Sequence, residues 1–359
     1  MTLPEPHPAL RTALCDVVGV HYPVVQTGMG WVAGPRLVSA TANAGALGIL
    51  ASATMTVGEL KDAVAEVQLR TDAPFGVNLR TDAADVSERI ELLVDAGVKV
   101  ASFAQAPKKE LVARLREAGI VVIPTVGARR HAEKVVDWGV DGVIAQGSEG
   151  GGHTGLVPTT LLLPQVVEAV GERAFVIAAG GFSSGRGLVA ALSWGAAGIA
   201  MGTRFLLTQE STVPDAVKQV YLQTPVTGTV VTTRVDGAPQ RVIRTPLVDH
   251  LEGAGRVGAL PRALRNALAF RRQTRTSIGA LLREGRAMKE SSELSWAQVV
   301  MAANAPMMTK AALVEGRPDV GVLPTGQVVG SIDELPTVEE LVGRIVSEAN
   351  ATLERLSGR

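Results

Sequence analysis

The sequence contains a single cysteine, few aromatic residues and no excess of either charge. Because Cys15 has no second cysteine to pair with in the chain, an internal disulfide framework and a cysteine-based metal cluster are both excluded. A lone cysteine also suits a reducing compartment, so we expect a cytoplasmic protein without a metal site. The 35 basic side chains are balanced by 35 acidic ones, which argues against nucleic-acid binding and against a polybasic membrane anchor.

Long apolar runs are absent as well. No stretch reaches the ~18 apolar residues that a membrane-spanning helix needs, and the opening residues MTLPEPHPALRTAL lack the charged-then-apolar order of a secretory signal. Glycine, by contrast, is abundant, with 39 residues in a chain of 359 of which 46% are hydrophobic. A chain of this length can bury one large α/β core, with or without a smaller insertion.

Short apolar segments alternate with amphipathic helical segments through the first two thirds of the chain, and glycine ends several of the helices. The predicted strands are 24–26, 49–51, 74–79, 99–103, 121–123, 143–145, 175–179 and 199–201. The predicted helices are 35–44, 56–70, 85–96, 108–118, 128–138, 159–170, 185–194 and 215–222. This succession favours the α/β class and a closed (β/α)₈ TIM barrel. A doubly wound open sheet is the alternative, since the sequence does not show strand order.

The pattern changes after residue 205. Residues 224–244 alternate like two short strands joined at Asp236–Gly237, and residues 259–289 and 294–304 are helical in pattern. We therefore expect a barrel over 1–225, an appended, mostly helical cap or substrate domain over 226–318, and a C-terminal segment over 319–359 that returns to the barrel. A helix is expected over 336–355 in that last segment.

The most distinctive stretch is residues 141–155, DGVIAQGSEGGGHTG. An apolar strand ends at Gln146, and a glycine-rich loop follows that lets backbone approach a ligand closely and carries an imidazole, His153, able to exchange protons. The string at 150–155 matches G-x-G-x-x-G, but a dinucleotide fingerprint opens the first helix of a βαβ unit. This string follows the sixth strand, and Pro158 separates it from the next helix. A ligand-facing loop is favoured over a merely flexible one.

Two further strand ends are rich in glycine, at Gly180–Gly181 and Gly202–Thr203. In barrels, the loops after the seventh and eighth strands commonly bind phosphate through backbone N–H groups and a short helix N-terminus. Ser183 and Ser184 could add hydroxyl donors, as could Thr203. Ordinary turn glycines are the alternative. The three strand ends together predict one large flat or phosphorylated ligand at one rim of the barrel.

These motifs together resemble the nitronate monooxygenase/2-nitropropane dioxygenase-like superfamily of FMN-dependent barrels, over nearly the whole chain. The matching strings are QTGMG at 26–30, AGALGI at 44–49, FGVN at 75–78, QGSEGGGHTG at 146–155, AAGG at 178–181, MGTRF at 201–205 and GQVVG at 326–330. Each string alone is weak, and their combination is specific.

The resemblance implies FMN as the cofactor, bound by the barrel of residues 1–225, and a role for each matching position. The loop under the flavin ring is assigned to Thr27, Gly28 and Met29. The pyrimidine edge is assigned to the side chains of Asn78 and Gln146, and the turn that reaches back to the flavin to Gln327. The ribityl and phosphate cradle is assigned to Gly151, Gly180, Gly181, Gly202 and Thr203. The active-site histidine is His153.

Structural roles are the alternatives for several of these residues. Asn78 and Gln146 could pair with neighbouring strand-end backbone, Met29 could fill the core, and His153 could be structural. His131, on a helix with charged neighbours, is expected at the surface.

The first motif departs from the nitronate-oxidising members, which read closer to Q-A-P-M where this chain has QTGMGWVA. It is more similar to members acting on thioesters, and most to actinobacterial relatives assigned to steroid-ring degradation. The resemblance therefore implies an FMN-dependent oxidoreductase that acts on a cyclic, indane-type CoA thioester, with His153 as acid/base. The alternatives are a nitronate monooxygenase, an NAD(P)H-dependent flavin enoyl-thioester reductase, and a non-catalytic flavin-binding regulator.

The expected partner is a small-molecule CoA thioester, with no nucleic acid and no membrane, and a homodimer is possible. An arginine-rich stretch could meet the CoA phosphates, or form a solvated helical face. Its residues are Arg262, Arg265, Arg271, Arg272 and Arg275.

Overall fold

The structure, a computed structural model, describes residues 3–253 and 306–358. Eight parallel strands close into a barrel in the order β1-β2-β3-β4-β5-β6-β8-β9, and β9 pairs back to β1 from Val24–Ile199 to Gln26–Met201. The strands are β1 Val24–Gln26, β2 Leu47–Ala51, β3 Gly76–Leu79, β4 Val100–Phe103, β5 Val121–Val126, β6 Gly142–Gln146, β8 Phe175–Ala179 and β9 Gly198–Met201. The predicted (β/α)₈ barrel is confirmed, and the closing pair excludes an open sheet.

Helices cover the outside of the barrel. They are α1 Ala13–Val18, α2 Pro35–Asn43, α3 Val57–Arg70, α4 Val86–Asp95, α5 Lys109–Glu117, α6 Arg129–Val136, α7 Thr159–Val170, α8 Gly185–Ser193, α9 Thr203–Leu206, α10 Asp215–Leu222 and α11 Pro246–Gly253. The eight predicted helices begin and end close to their predicted bounds, whereas α1, α9 and α11 were not predicted from the sequence. Local chemistry explains some of these bounds. At the start of α3, Thr56 and Glu59 form the expected capping box, which satisfies two free N–H groups of the first turn.

The side chains that point into the barrel are apolar through most of its depth and polar at one end. The apolar layers include Val25, Ile49, Val100, Ile123, Ile144 and Ile177. Successive side chains of a strand alternate between faces, so the next inward-pointing position lies two residues closer to the carboxyl end of each strand. In or directly after five of the strands, this last inward position is polar. These residues, here called the polar rim, are Thr27, Asn78, Ser102, Thr125 and Gln146. Polar groups gathered at the carboxyl ends of barrel strands mark the end that binds ligands.

A small antiparallel sheet lies over this end. Strands β10 Thr229–Thr232 and β11 Gln240–Ile243 form the predicted hairpin. A two-residue strand, β7 Gly152–His153, pairs with β11 as the third member. This strand lies in the glycine-rich loop and was not predicted from the sequence. The predicted helical segments 259–289 and 294–304, with their arginines, lie outside the described residues.

The C-terminal segment packs against the helices of the barrel. A 3₁₀ helix, Gln327–Ser331, leads to the C-terminal helix, Val338–Leu356, which packs against α8 and α2. None of the helices within 3–253 and 306–358 has a stretch long and apolar enough to cross a membrane.

Candidate active site

The loop after β1 is in direct contact with the ends of β3 and β9. A Cβ atom placed on Gly28 would lie 2.4 Å from Cβ of Asn78, and one placed on Gly202 would lie 3.2 Å from Oγ1 of Thr27 and 3.3 Å from Sδ of Met29. The distance at Gly28 leaves no room for a side chain, and one at Gly202 would have to displace Thr27 or Met29. The glycines therefore allow three of the predicted cofactor segments to share one surface.

The loop after β6 is joined in the same way to the turn that begins the C-terminal segment. A Cβ atom on Gly151 would lie 2.4 Å from the carbonyl carbon of Thr325. The backbone N–H of Gln327 donates to the carbonyl of Glu149 at 2.9 Å, and that of Gly326 donates to Oγ1 of Thr203 at 2.8 Å. The turn that carries Gln327 thus reaches back to the rim and connects the ends of β6 and β9.

The paired glycines after β8 adopt backbone conformations that other residues avoid. Gly180 and Gly181 have φ of +99° and +85°, in the region that only glycine enters without strain. A Cβ atom on Gly180 would meet Thr159 Oγ1 at 2.9 Å, whereas on Gly181 the described residues would offer it only Cβ of Glu149, at 3.7 Å. With respect to those residues Gly181 lies beside open space, which would let its backbone contact a ligand.

The first turn of α8 is already occupied by protein groups. Oγ of Ser184 accepts from the N–H of Gly187 at 3.2 Å, and a carboxylate oxygen of Glu348 accepts from the N–H of Gly185 at 2.7 Å. The help that Ser184 and this helix N-terminus were expected to give a phosphate is therefore taken up within the protein. The predicted cradle therefore consists of the backbone of Gly151, Gly180–Gly181 and Gly202–Thr203, without the first turn of α8.

The two side-chain amides of the polar rim each use their NH₂ group inside the protein. Nδ2 of the buried Asn78 donates to Oγ of Ser102 at 2.9 Å, and Nε2 of Gln146 donates to the carbonyl of His153 at 2.8 Å. The NH₂ groups of Asn78 and Gln146 therefore have the structural role that was the alternative to binding a ligand. Their side-chain oxygens accept no hydrogen bond from the described residues, and so could accept one from a ligand N–H.

Two residues of the first motif, Gln26 and Trp31, have structural features that the sequence did not predict. Gln26 is completely buried and donates to the carbonyl of Ile49 at 3.1 Å, while its Oε1 has no hydrogen-bond partner among residues 3–253 and 306–358. Trp31 has φ of +67°, and its buried Nε1 likewise has no partner in the described part of the chain. A bulky residue at positive φ is strained, and such strain clusters at functional sites.

His153 lies on β7 above the polar rim, with 65% of its side chain exposed. Nε2 of His153 is 2.7 Å from Oδ2 of Asp236. The side-chain nitrogen of Gln240 is 3.3 Å from Nε2 of His153. Asp236 follows β10 in the hairpin connection. Sequence analysis identified it only as a turn residue, because 83 positions separate it from His153.

The Asp236 carboxylate is mostly buried, with 10% of its side chain exposed. Burial by itself would raise the pKa of Asp236, but the hydrogen bond and charge of His153, with hydrogen bonds from Gln240 and the N–H of Ala238, outweigh it. The net effect lowers the pKa below its ordinary value. Asp236 therefore stays ionised and acts as a hydrogen-bond acceptor.

The glycine-rich loop is held at two further points. The guanidinium of Arg241 donates through Nε and Nη2 to the carbonyl of Ser148, at 3.1 and 3.0 Å. The carboxylate of Glu149 accepts from both the N–H and the hydroxyl of Thr159, at 2.9 and 2.8 Å. The loop is therefore an ordered support for His153, with Glu149 in a structural role.

The site fits a flat, phosphorylated ligand better than a metal. Free carbonyl oxygens on two rim amides suit a ring edge that carries an N–H group, and backbone N–H groups at glycines with positive φ suit a phosphate. Within 3–253 and 306–358, no three histidine, cysteine, aspartate or glutamate side chains converge on a point that could hold a metal ion.

Known proteins match this chain along almost its entire length. The family model described as nitronate monooxygenase matches residues 11–89 and 81–348. A Mycobacterium tuberculosis protein named "(3aS,4S,5R,7aS)-5-hydroxy-7a-methyl-1-oxo-octahydro-1H-indene-4-carboxyl-CoA dehydrogenase" is 60% identical over 97% of this chain and 98% of its own length. A Rhodococcus jostii protein with the same name is 58% identical, over 97% and 98%.

The fold has a close counterpart among solved structures. The structure of FabK from Thermotoga maritima superposes with a TM-score of 0.78 and 31% sequence identity, over 97% of this chain and 99% of that one. The closed barrel, the glycine-lined rim and these matches lead to one conclusion: the chain belongs to the nitronate monooxygenase family and is a flavin-dependent oxidoreductase.

Proposed function

We propose that this protein is an FMN-dependent dehydrogenase that oxidises a ring hydroxyl of a cyclic, indane-type CoA thioester. The observation that carries the proposal is His153, whose Nε2 is held by a buried carboxylate while most of its ring is open above the barrel rim. An imidazole in this setting is suited to proton transfer. The substrate class comes from the two relatives named as dehydrogenases of such a thioester.

The proposed cofactor is a mononucleotide because the rim offers one phosphate cradle, and the glycine string at 150–155 opens no helix. The residues proposed to hold FMN keep their expected roles. The ring would lie on Thr27, Gly28 and Met29, its pyrimidine edge near Asn78 and Gln146, and Gln327 would approach from the C-terminal turn. The ribityl and phosphate groups would lie on Gly151, Gly180, Gly181, Gly202 and Thr203.

Each of the three parts of the chain is assigned a role in the proposed function. Residues 1–225 would form the flavin-binding barrel and 226–318 the part that covers the substrate, while 319–359 returns to the barrel. When bound, the flavin supplies a two-electron acceptor that takes a hydride. His153 accepts the hydroxyl proton as the carbinol C–H bond breaks, so the alcohol loses a proton and a hydride and becomes a ketone.

Anaerobic flavin reduction tests this proposal directly. The protein reconstituted with FMN is mixed with the 5-hydroxy-indene-carboxyl-CoA thioester of the relatives' names, and bleaching of the flavin absorbance is followed. We expect bleaching by the thioester and none by propionate 3-nitronate. Bleaching by the nitronate alone would make the protein a nitronate monooxygenase, and a protein that cannot be loaded with flavin would discard both functions.

The variant His153→Ala should retain its flavin, because the imidazole is not among the proposed cofactor contacts. It should slow flavin reduction by about 10²-fold or more, the usual effect of losing an acid–base group. The matched control is His131→Ala, which removes an exposed imidazole from α6 and should not change the rate. Equal rates in both variants would remove His153 from the reaction.

A further inference from the structure

We infer that Asp236 is a positioning residue that keeps the His153 proton on Nε2 and thereby makes Nδ1 the atom that exchanges a proton with substrate. The inference rests on the proposed acid–base role of His153. It assigns a function to the hairpin between β10 and β11, outside the barrel strands that carry the proposed cofactor contacts.

The first step of the argument is hydrogen-bond chemistry. An ionised carboxylate can only accept, so the 2.7 Å contact between Oδ2 of Asp236 and Nε2 of His153 requires a hydrogen on Nε2. A neutral imidazole carries one N–H. Its other nitrogen, Nδ1, is therefore bare and able to accept a proton.

The second step concerns the nearby amide. The side-chain nitrogen of Gln240 lies 3.3 Å from Nε2 of His153, but two N–H groups cannot donate to each other. The Gln240 amide instead donates a hydrogen bond to the carboxylate of Asp236. Oδ1 of that carboxylate also accepts from the N–H of Ala238 at 3.0 Å. Asp236 is thus held by donors besides His153, and its orientation does not depend on the imidazole.

The third step is the backbone register. Gln240 pairs directly opposite His153 in the β7–β11 ladder, and Gln240 is 5% exposed. The N–H of Thr154 donates to the carbonyl of Pro239 at 3.1 Å and extends this pairing beyond His153. The ladder therefore brings the histidine to the carboxylate in one register, and a one-residue slip would separate them.

In the proposed reaction, the O–H bond of the ring alcohol breaks and a new N–H bond forms at Nδ1 of His153. The C–H bond on the carbon that bears this hydroxyl breaks as well. Its hydrogen would leave as a hydride, with both electrons, to the flavin, and the C–O bond becomes C=O. The imidazolium that results keeps its original N–H, on Nε2, directed at Asp236. An ionised carboxylate stabilises that charge and keeps the ring oriented.

The test compares the wild-type protein with Asp236→Asn by ¹⁵N NMR of histidine-labelled protein, at about pH 8.5, where imidazole side chains are normally neutral. The His153 signals are assigned from their loss in His153→Ala. We expect the Nε2–H tautomer in the wild type and the Nδ1–H tautomer in the variant, because an asparagine NH₂ facing Nε2 donates to it. Asparagine also retains an oxygen for Ala238, so the turn is preserved.

The kinetic readout is flavin reduction by the indane thioester. We expect Asp236→Asn to slow it by roughly 10²- to 10⁴-fold with an unchanged substrate dissociation constant. That is the usual contribution of acid–base catalysis, and a catalytic-triad histidine that loses its aspartate lies near the upper end, at about 10⁴-fold. The matched control is Asp249→Asn. Asp249 lies in α11 of the same insertion and forms an exposed ion pair with Arg244, so this variant should keep the wild-type tautomer and rate.

An unchanged His153 tautomer and rate in Asp236→Asn would overturn the inference. If that variant loses its native circular dichroism spectrum, the wild-type signal decides, since an Nδ1–H tautomer there contradicts the geometry. The NMR readout needs no substrate. A protein that no indane thioester reduces would therefore refute the proposed function, while the NMR result would still test the role of Asp236.

Discussion

Gly181 and Gly97 have similar backbone conformations in two different parts of the barrel. Both have positive φ, +85° at Gly181 and +64° at Gly97. Gly97 ends α4 at the amino end of the barrel, where an added Cβ would meet no described residue within 4 Å. Gly181 lies at the carboxyl rim in the proposed phosphate cradle. A side chain at either position is strained by about 1–2 kcal/mol, but only at Gly181 would it meet a cofactor.

The pair of variants Gly181→Glu and Gly97→Glu tests that difference. We expect Gly181→Glu to purify without flavin and to fail to bind added FMN, because the new carboxylate repels a phosphate and fills its space. Gly97→Glu should bind FMN normally despite similar backbone strain. Fluorescence titration with FMN measures both, and normal affinity in Gly181→Glu would contradict the proposed cradle.

At the scale of elements, the insertion and the glycine-rich loop form one unit. The ladder between β7 and β11 is short, and Arg241 on β11 reinforces it through two hydrogen bonds to the carbonyl of Ser148 and one, at 2.9 Å, to the hydroxyl of Thr229. Hydrogen bonds from a charged donor in a half-buried setting contribute more than neutral ones. The loop that carries His153 therefore depends on a residue from outside the barrel.

Arg241→Ala should loosen this loop. We expect hydrogen exchange at the amides of residues 147–155 to accelerate by about 10-fold or more, since losing ~1.5–3 kcal/mol of charge-assisted hydrogen bonding increases local opening. Arg244→Ala, which removes an exposed ion pair with Asp249 on the same insertion, should change little. Equal protection in the two variants would show that pairing of β7 with β11 holds the loop unaided.

At the scale of the whole molecule, several carboxylates connect stability to pH. The pKa is lowered below its ordinary value at Glu59, Asp82, Asp85, Glu91, Asp236 and Glu334. At Asp85 the main cause is the pair of hydrogen bonds from Arg89, at 2.9 and 2.8 Å. Arg89 also donates to the carbonyls of Ser52 and Met55 and so ties α4 to the loop after β2.

The sign of the pH effect follows from these directions. A carboxylate whose pKa is lower in the folded than in the unfolded state stabilises the fold above its ordinary value, which is 3.8 for Asp85. That stabilisation is lost as the pH falls through the folded value. Urea unfolding between about pH 7 and pH 2 should therefore show wild-type stability falling more steeply than that of Asp85→Asn below about pH 5, and the two proteins should converge at the acid end of that range.

The control for this experiment is Asp62→Asn, which changes an exposed carboxylate on α3. We expect its stability to run parallel to the wild type across the pH range. Parallel curves for Asp85→Asn as well would show that the Asp85–Arg89 pair does not couple folding to pH.

The sequence by itself determined the succession of strands and helices, because apolar periodicity, caps such as Thr56 and stop glycines such as Gly97 act through neighbouring residues. The sequence also located most of the polar rim, because glycine strings and polar residues at predicted strand ends can be recognised without a structure. The hairpin of β10 and β11 was predictable for the same reason.

Only the tertiary structure decided closure of the barrel, the pairing of β7 with β11 and the contact between His153 and Asp236. These contacts join residues far apart in the chain, and no local preference specifies which distant strand edge or carboxylate a segment will meet. The filling of the first turn of α8 by Glu348 is of the same kind, because it depends on how the C-terminal helix packs.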